Sequence, residues 1–247
     1  MWVSHPARVR SVVAHPRWHS ERCLESDADE MDVGISVQRC ARGDTGAAGA
    51  AWLHKNRNHG CTDQALGCRV HIDEASESDT PDVLFVERSA FGDEEEAELV
   101  RALLSDPSAQ PRLSLLAREG DRPVGHVLFT AARLKGPPHS GPIAILAPLA
   151  VVPDAQRRGI GGALIERGLQ LLHEAGVSLV FVLGHPDYYP RHGFEPAGRL
   201  GLNPPFPIPD DNADAWMVQA LRPNVIGALH GTVLCADELT KPELWKE

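Results

Sequence analysis

Ten consecutive uncharged residues, Ile143 to Val152, run into a proline and then into a helix whose first turn is built from arginine and glycine. This junction, Ile143 to Gly176, constrains the chain more than any other stretch. The uncharged run is rich in branched apolar residues, which suits a central strand buried on both faces. Pro153-Asp154 ends it. Apolar residues then recur at Ile160, Leu164, Leu169, Leu171 and Leu172, with Glu166, Arg167, Gln170 and Glu174 between them. That is the spacing of an amphipathic helix, and Gly176 supplies its stop.

The chemistry lies at the join, where Gln156, Arg157, Arg158, Gly159, Ile160, Gly161 and Gly162 crowd the helix start. The first turn of a helix has backbone N–H groups without intrahelical acceptors and carries the positive end of the dipole. Glycines let a bulky anion come close to those groups, and arginines add charge and forked donors. The expected ligand is a phosphate or pyrophosphate. A dinucleotide fingerprint would need a third glycine and an acidic residue about 20 positions on. The third glycine is missing, which argues against that site.

The chain has 247 residues, room for one or two domains, and a 43% apolar fraction that allows a sizeable core. A net charge of −10 argues against a nucleic-acid partner. No apolar run reaches membrane-spanning length, and Met1 to Cys23 lacks the apolar centre of a signal peptide. Five widely spread cysteines do not form a disulfide framework. The expectation is a cytoplasmic protein without a membrane partner.

Residues 1–66 show no sustained period of 2 or 3.6, and their charges cancel. They read as a disordered or weakly structured extension, leaving 67–247 as the folded domain. His59, Cys61, Cys68 and His71 invite a zinc reading, but the cysteine pair is wider than structural zinc sites use. No metal is expected.

From Arg69 the pattern becomes regular. RVHID alternates as a strand. Thr80-Pro81 opens a helix that Phe91-Gly92 breaks, and Asp93 to Leu104 gives a second with acids in its first turn. Leu113–Ala117 and Pro123–Thr130 form a hairpin across a Gly-Asp turn. Arg133 to Pro142 reads as a connector. After the central strand and helix come a strand at Val177–Leu183, a short helix, a strand at Ala215–Leu221 and an alternating segment around Cys235, the last two forming a terminal pair. A mixed α/β sheet with one central crossover accommodates this order.

The second informative stretch is Tyr188-Tyr-Pro-Arg-His-Gly-Phe194. With Leu149-Ala-Val-Val-Pro-Asp-Ala-Gln-Arg-Arg-Gly-Ile-Gly-Gly-Ala-Leu164 it resembles the GCN5-related N-acetyltransferases (GNAT), in particular a YhbS-like bacterial subgroup. The resemblance covers about residues 67–235. It implies the GNAT fold, a mixed central β-sheet flanked by helices, and acetyl-CoA as co-substrate. It places the pantetheine arm against Leu149, Ala150 and Val151, and the pyrophosphate against Arg157, Arg158, Gly159, Ile160, Gly161 and Gly162. Tyr189, four residues before Gly193, matches the family tyrosine that protonates the departing thiolate, a role a phenol can fill. The implied reaction is direct transfer of acetyl to a primary amine on a small molecule or peptide, with homodimerisation frequent in the family. The alternative is a non-catalytic acyl-CoA-binding or sensor module.

No general base stands out. His185, Asp187 and His192 flank Tyr189 and read as loop polar groups. Glu87 and the Glu94-Glu95-Glu96 run read as a solvated helix face, His126 as half-buried structure, and Cys235 as structural for want of a nearby base. The Pro-rich loop before Ala215 offers Phe206, Asp210, Asp211 and Trp216 as substrate contacts.

Overall fold

The computed structural model describes residues 70–136 and 141–245. The expected extension, with His59 and Cys61, lies outside them, and so does Cys68. The chain opens with β1 (Val70–Glu74), α1 (Thr80–Phe91) and α2 (Glu95–Ser105). The hairpin follows as β2 (Leu113–Glu119) and β3 (Arg122–Lys135), then β4 (Ile143–Val151), α3 (Ile160–Glu174) and β5 (Leu179–Leu183). Four short strands complete it: β6 (Glu195–Pro196), β7 (Leu202–Asn203), β8 (Trp216–Ala220) and β9 (Gly231–Leu234).

Local chemistry sets the boundaries. The Ser76 amide donates to the Asp79 carboxylate at 2.8 Å, fixing the turn that feeds α1. Gly92, at φ 83°, ends α1 and donates back to the Arg88 carbonyl. Gly120, at φ 61°, turns the β2–β3 hairpin.

The strands order as β1-β2-β3-β4-β5-β8-β6. Along that path β4 and β5 form the parallel pair, and α3 is their crossover. The helices lie on opposite faces. A Cβ on Gly125 of β3 would sit 3.0 Å from Ile160 and Leu164 of α3, whereas the next residue, His126, meets Glu87 of α1. Successive residues of a strand point to opposite faces. The α3 stripe of Ile160, Leu164, Ile165, Gly168, Leu169 and Leu172 is buried. At Gly168 the helix surface is bare, and the Phe129 ring fills the space a Cβ would need, 2.2 Å away.

Two expectations change. The segment from Arg133 is no connector at its start, because β3 continues to Lys135, where Arg133–Lys135 pair with Leu234–Thr232 of β9. The expected terminal pair also does not form: β8 pairs with β5 and β6, while β9 leaves for β3 and β7. Both follow from the length of β3, which outruns its pairing with β4 at Ala132 and offers a fresh edge. Among the described residues no helix is long and apolar enough to cross a membrane.

Candidate functional site

The parallel pairing of β4 and β5 runs from Ile143 opposite Leu179 to Leu146 opposite Val182 and stops there. β4 continues to Val151, paired to β3 on its other edge. Between the pairs Leu149–Val127 and Leu146–Phe129, β4 carries one residue more than β3. Such irregularities redirect a strand and recur beside active sites.

The direction of the free groups on β4 follows from the ladder. The Val152 N–H donates to the Val124 carbonyl at 3.0 Å, and Ala150 pairs with His126. Backbone groups alternate sides along a strand, so those of Ala150 face β3 and those of Leu149 and Val151 face away, toward the gap. The Gln156 side-chain amide donates to the Val151 carbonyl at 2.9 Å. Of the three expected contacts, Leu149 and Val151 therefore present backbone groups to the gap, and Ala150 holds the strand in the sheet.

The gap leads to the start of α3. Arg157 (φ 59°) and Gly159 (φ 77°) both take left-handed backbone and fold the loop sharply before the helix. The Ala163 N–H reaches the Gly159 carbonyl at 3.0 Å. The amides of Ile160, Gly161 and Gly162 precede the first residue that can bond within the helix. Arg157 is exposed, whereas the Ile160 side chain is buried in the core. The Arg158 guanidinium contacts Glu119 in the β2–β3 hairpin, so its side chain is tied to the sheet while its backbone shapes the loop. Arg122 pairs with Asp154 at 2.5 Å. That hydrogen bond holds the Asp154 carboxyl below its ordinary pKa and offsets a negative charge close to the start of α3.

Gly161 and Gly162 also serve packing. A Cβ on Gly161 would lie 2.7 Å from the Tyr188 hydroxyl, and one on Gly162 2.8 Å from the His192 ring. The segment after β5 thus rests on the first turn of α3. Tyr189 lies deeper. It is fully buried, with its ring edge-on to Tyr188 at 5.3 Å and to Phe194 at 5.6 Å. Its hydroxyl has no hydrogen-bond partner, and burial raises its pKa well above the ordinary phenol value. Burial also lowers His192, against the nearby Glu166. The His185 ring accepts from the Asp187 amide at 3.1 Å.

The opposite face of the sheet holds groups that sequence reasoning missed. Glu87 and His126 are fully buried and joined at 2.5 Å, and the other His126 nitrogen meets the Ser114 hydroxyl at 2.9 Å. This corrects both readings: Glu87 is no part of a solvated face, and His126 is a buried partner of it. Burial raises the Glu87 carboxyl, against the hydrogen bond from His126. In α2, Glu96 is buried while Glu94 and Glu95 are exposed. Burial first, and the neighbouring Asp93 second, raise its carboxyl from 4.5 to about 7. The available signal was phase. Glu87 follows the apolar Val83 and Leu84 by four and three residues, and Glu96 precedes Val100 and Leu103 by four and seven, so each acid sits on its helix's apolar stripe.

Trp216 and Cys235 resolve as structure. Trp216 is core, stacked on Phe181 at 5.1 Å and donating to the Leu202 carbonyl. Asp210 and Asp211 are exposed. Cys235 is buried, its thiol pushed up to about 11 by desolvation, which removes it as a nucleophile. Among the described residues no group of three or more His, Cys, Asp and Glu could hold a metal.

The free strand edge, the helix start and the bare glycines fit an elongated ligand that ends in a pyrophosphate. Comparison with known proteins agrees. A family model described as acetyltransferase (GNAT) domain matches residues 71–197. The uncharacterized N-acetyltransferase YjhQ of Escherichia coli (strain K12) is 51% identical over 161 residues, 65% of this chain and 88% of that protein. YhbS of the same strain, also named an uncharacterized N-acetyltransferase, is 30% identical over 155 residues, 63% and 89% of the two chains. Among solved structures, E. coli YhbS in complex with CoA superposes with a TM-score of 0.64 at 26% identity, covering 73% of this chain and 97% of that one. A GNAT family acetyltransferase from Brucella melitensis in complex with acetyl-CoA gives 0.56 at 26%, covering 70% and 99%.

Proposed function

The chain belongs to the GNAT acetyltransferase family, and from that premise we propose that it carries an acetyl group from acetyl-CoA directly to a primary amine of a small molecule or peptide in a ternary complex. The observation that carries this reading is the β4 edge freed beyond Leu146, which ends at the first turn of α3. Leu149 and Val151 align an extended amide-bearing arm along that edge. The amides of Gly159 to Gly162, with the Arg157 charge, hold the pyrophosphate.

The chemistry is a substitution at the acyl carbon. The neutral amine forms the C–N bond, the C–S bond breaks, the amine loses a proton and the sulfur gains one. The protein contributes position and a fixed electrostatic frame. A Leu149 N–H turned to the gap is placed to bond the carbonyl oxygen as charge develops there. Tyr189 supplies the proton to sulfur. Its burial keeps the phenol protonated across the working pH range, and its unpartnered hydroxyl is free to donate. A second reading gives this role to Tyr188, because its hydroxyl is the one lying against the α3 start.

Thiol release from acetyl-CoA against an amine panel tests the activity. Tyr189→Phe should lower kcat on the order of 10²-fold and leave acetyl-CoA affinity intact. A drop in Tyr188→Phe with normal turnover in Tyr189→Phe would move the role to Tyr188. Gly161→Trp should abolish CoA binding, and retained affinity would sink the pyrophosphate assignment.

A further inference from the structure

Two side chains of different chemistry press the segment after β5 against the start of α3. A Cβ on Gly161 would meet the Tyr188 hydroxyl at 2.7 Å and, at 3.7 Å each, the side chains of Leu149 and Val151 on the freed β4 edge. Strand edge, helix start and this segment therefore converge on one spot. One residue on, a Cβ on Gly162 would lie 2.8 Å from Cε1 and 3.4 Å from Nε2 of His192. Any flat ring would serve the packing. An imidazole adds a group that titrates near neutrality.

The ring has a defined orientation. Its Nδ1 faces the Glu166 carboxylate, one turn further along α3, at 3.7 Å. Its face stands edge-on to Tyr188 at 5.3 Å. Nε2 is the nitrogen nearer Gly162, and among the described residues it has no hydrogen-bond partner. Covalent geometry puts it within about 6 Å of the Gly162 amide nitrogen. One phosphate oxygen, at about 2.9 Å from each of two donors, bridges a separation of that size.

We propose that His192 belongs to the donor grip: as an imidazolium it donates from Nε2 to the pyrophosphate held by the α3 amides, so that donor binding takes up a proton from solvent. The inference rests on the donor site of the reading above. The charged and titratable groups around the ring are Glu166 on α3 and Arg191 and Tyr188 on its own segment. Burial first, with Glu166 opposed and Arg191 in the same sense as burial, holds the free imidazole below its ordinary pKa. The ligand-free ring is therefore neutral at neutral pH, and an added phosphate anion favours its charged form. The sign follows. Affinity rises as pH falls through the bound-state pKa and levels off below the free-state one.

The test is calorimetric titration of the full chain with dephospho-CoA. This probe keeps the pyrophosphate and lacks the 3′-phosphate monoester, whose own pKa is about 6. Runs at pH 5.5, 6.5 and 7.5, in buffers of different ionisation heat, give affinity and proton uptake together. The parent should bind about fivefold more tightly at pH 5.5 than at pH 7.5, as a partly exposed ion pair allows, and take up a fraction of a proton at pH 6.5. His192→Gln, which keeps a side chain over Gly162 but does not titrate, should bind equally across the range with no uptake. His192→Phe serves if that variant does not fold. Parent affinity flat in pH and without uptake removes the role of His192 and leaves the donor site standing. A pH dependence that survives the substitution overturns the inference in the same way. No binding by the parent at any of these pH values overturns the donor-site reading, and the inference with it.

Discussion

The two faces of the sheet are built on opposite plans. The α3 face is apolar and contiguous: one stretch, Leu149 to Leu164, supplies strand edge, turn and helix start, and Phe129 nests on bare Gly168 beneath them. The α1/α2 face is assembled from segments distant in sequence and buries acids. Glu87, His126 and Ser114 come from α1, β3 and β2, and Glu96 comes from α2, next to Asp93. A face made of packed hydrocarbon answers to volume. A face with buried carboxyls answers to charge and pH.

The sharpest way to break this contrast is Glu87→Ala. It strands the buried His126 and should cost about 3–5 kcal/mol in chemical denaturation. Replacing both partners, Glu87→Leu with His126→Leu, should recover much of that. A single variant as stable as the parent would mean the pair is not held as described.

On the other face, Gly168→Val drives a side chain into Phe129 and should cost about 1–3 kcal/mol, with a loss that does not vary between pH 5 and 8. A pH-dependent loss would show that charge reaches this face too.

Glu96 gives a smaller effect with a defined sign. Its folded pKa, about 7, lies above the ordinary 4.5, so the folded state favours the protonated form. The stabilisation is present below about 4.5 and is lost as pH rises through about 7. Glu96→Gln should match the parent at pH 4 and exceed it at pH 8 by about 1–2 kcal/mol, after allowance for solvent screening. Equal stabilities at pH 8 would remove the raised carboxyl.

Arg158→Ala should change least. Its pair with Glu119 is partly exposed and contributes about 0–1 kcal/mol. Because the guanidinium is tied to the hairpin, CoA affinity should fall less than in Arg157→Ala. The reverse order would place Arg158, not Arg157, on the pyrophosphate.

The same contrast explains what the sequence disclosed. The strand, turn and helix from Ile143 to Glu174 were legible because each is written in local periodicity and punctuation, and the order of elements through β5 followed. The freed edge of β4 was not legible, since it depends on where β5 stops pairing. The course of β9 was not legible either: nothing near Gly231 says that its partner is the far end of β3. Glu96 was hidden by composition, beside the exposed Glu94 and Glu95, and only their phase with Val83 and Val100 set Glu87 and Glu96 apart. Tyr189 was found as a motif letter, but its burial, and the approach of Tyr188 to Gly161, needed the folded chain.

β3 pairs with β4 as far as Ala132 and with β9 from Arg133 to Lys135. One continuous strand thus backs the freed edge of β4 and, through β9, anchors the segment that runs on to Trp245. The layout is modular. Exchanging the segment after β9 would repack the surroundings of Trp216 and Trp245, while the freed edge of β4, backed by the other end of the same strand, stays as it is.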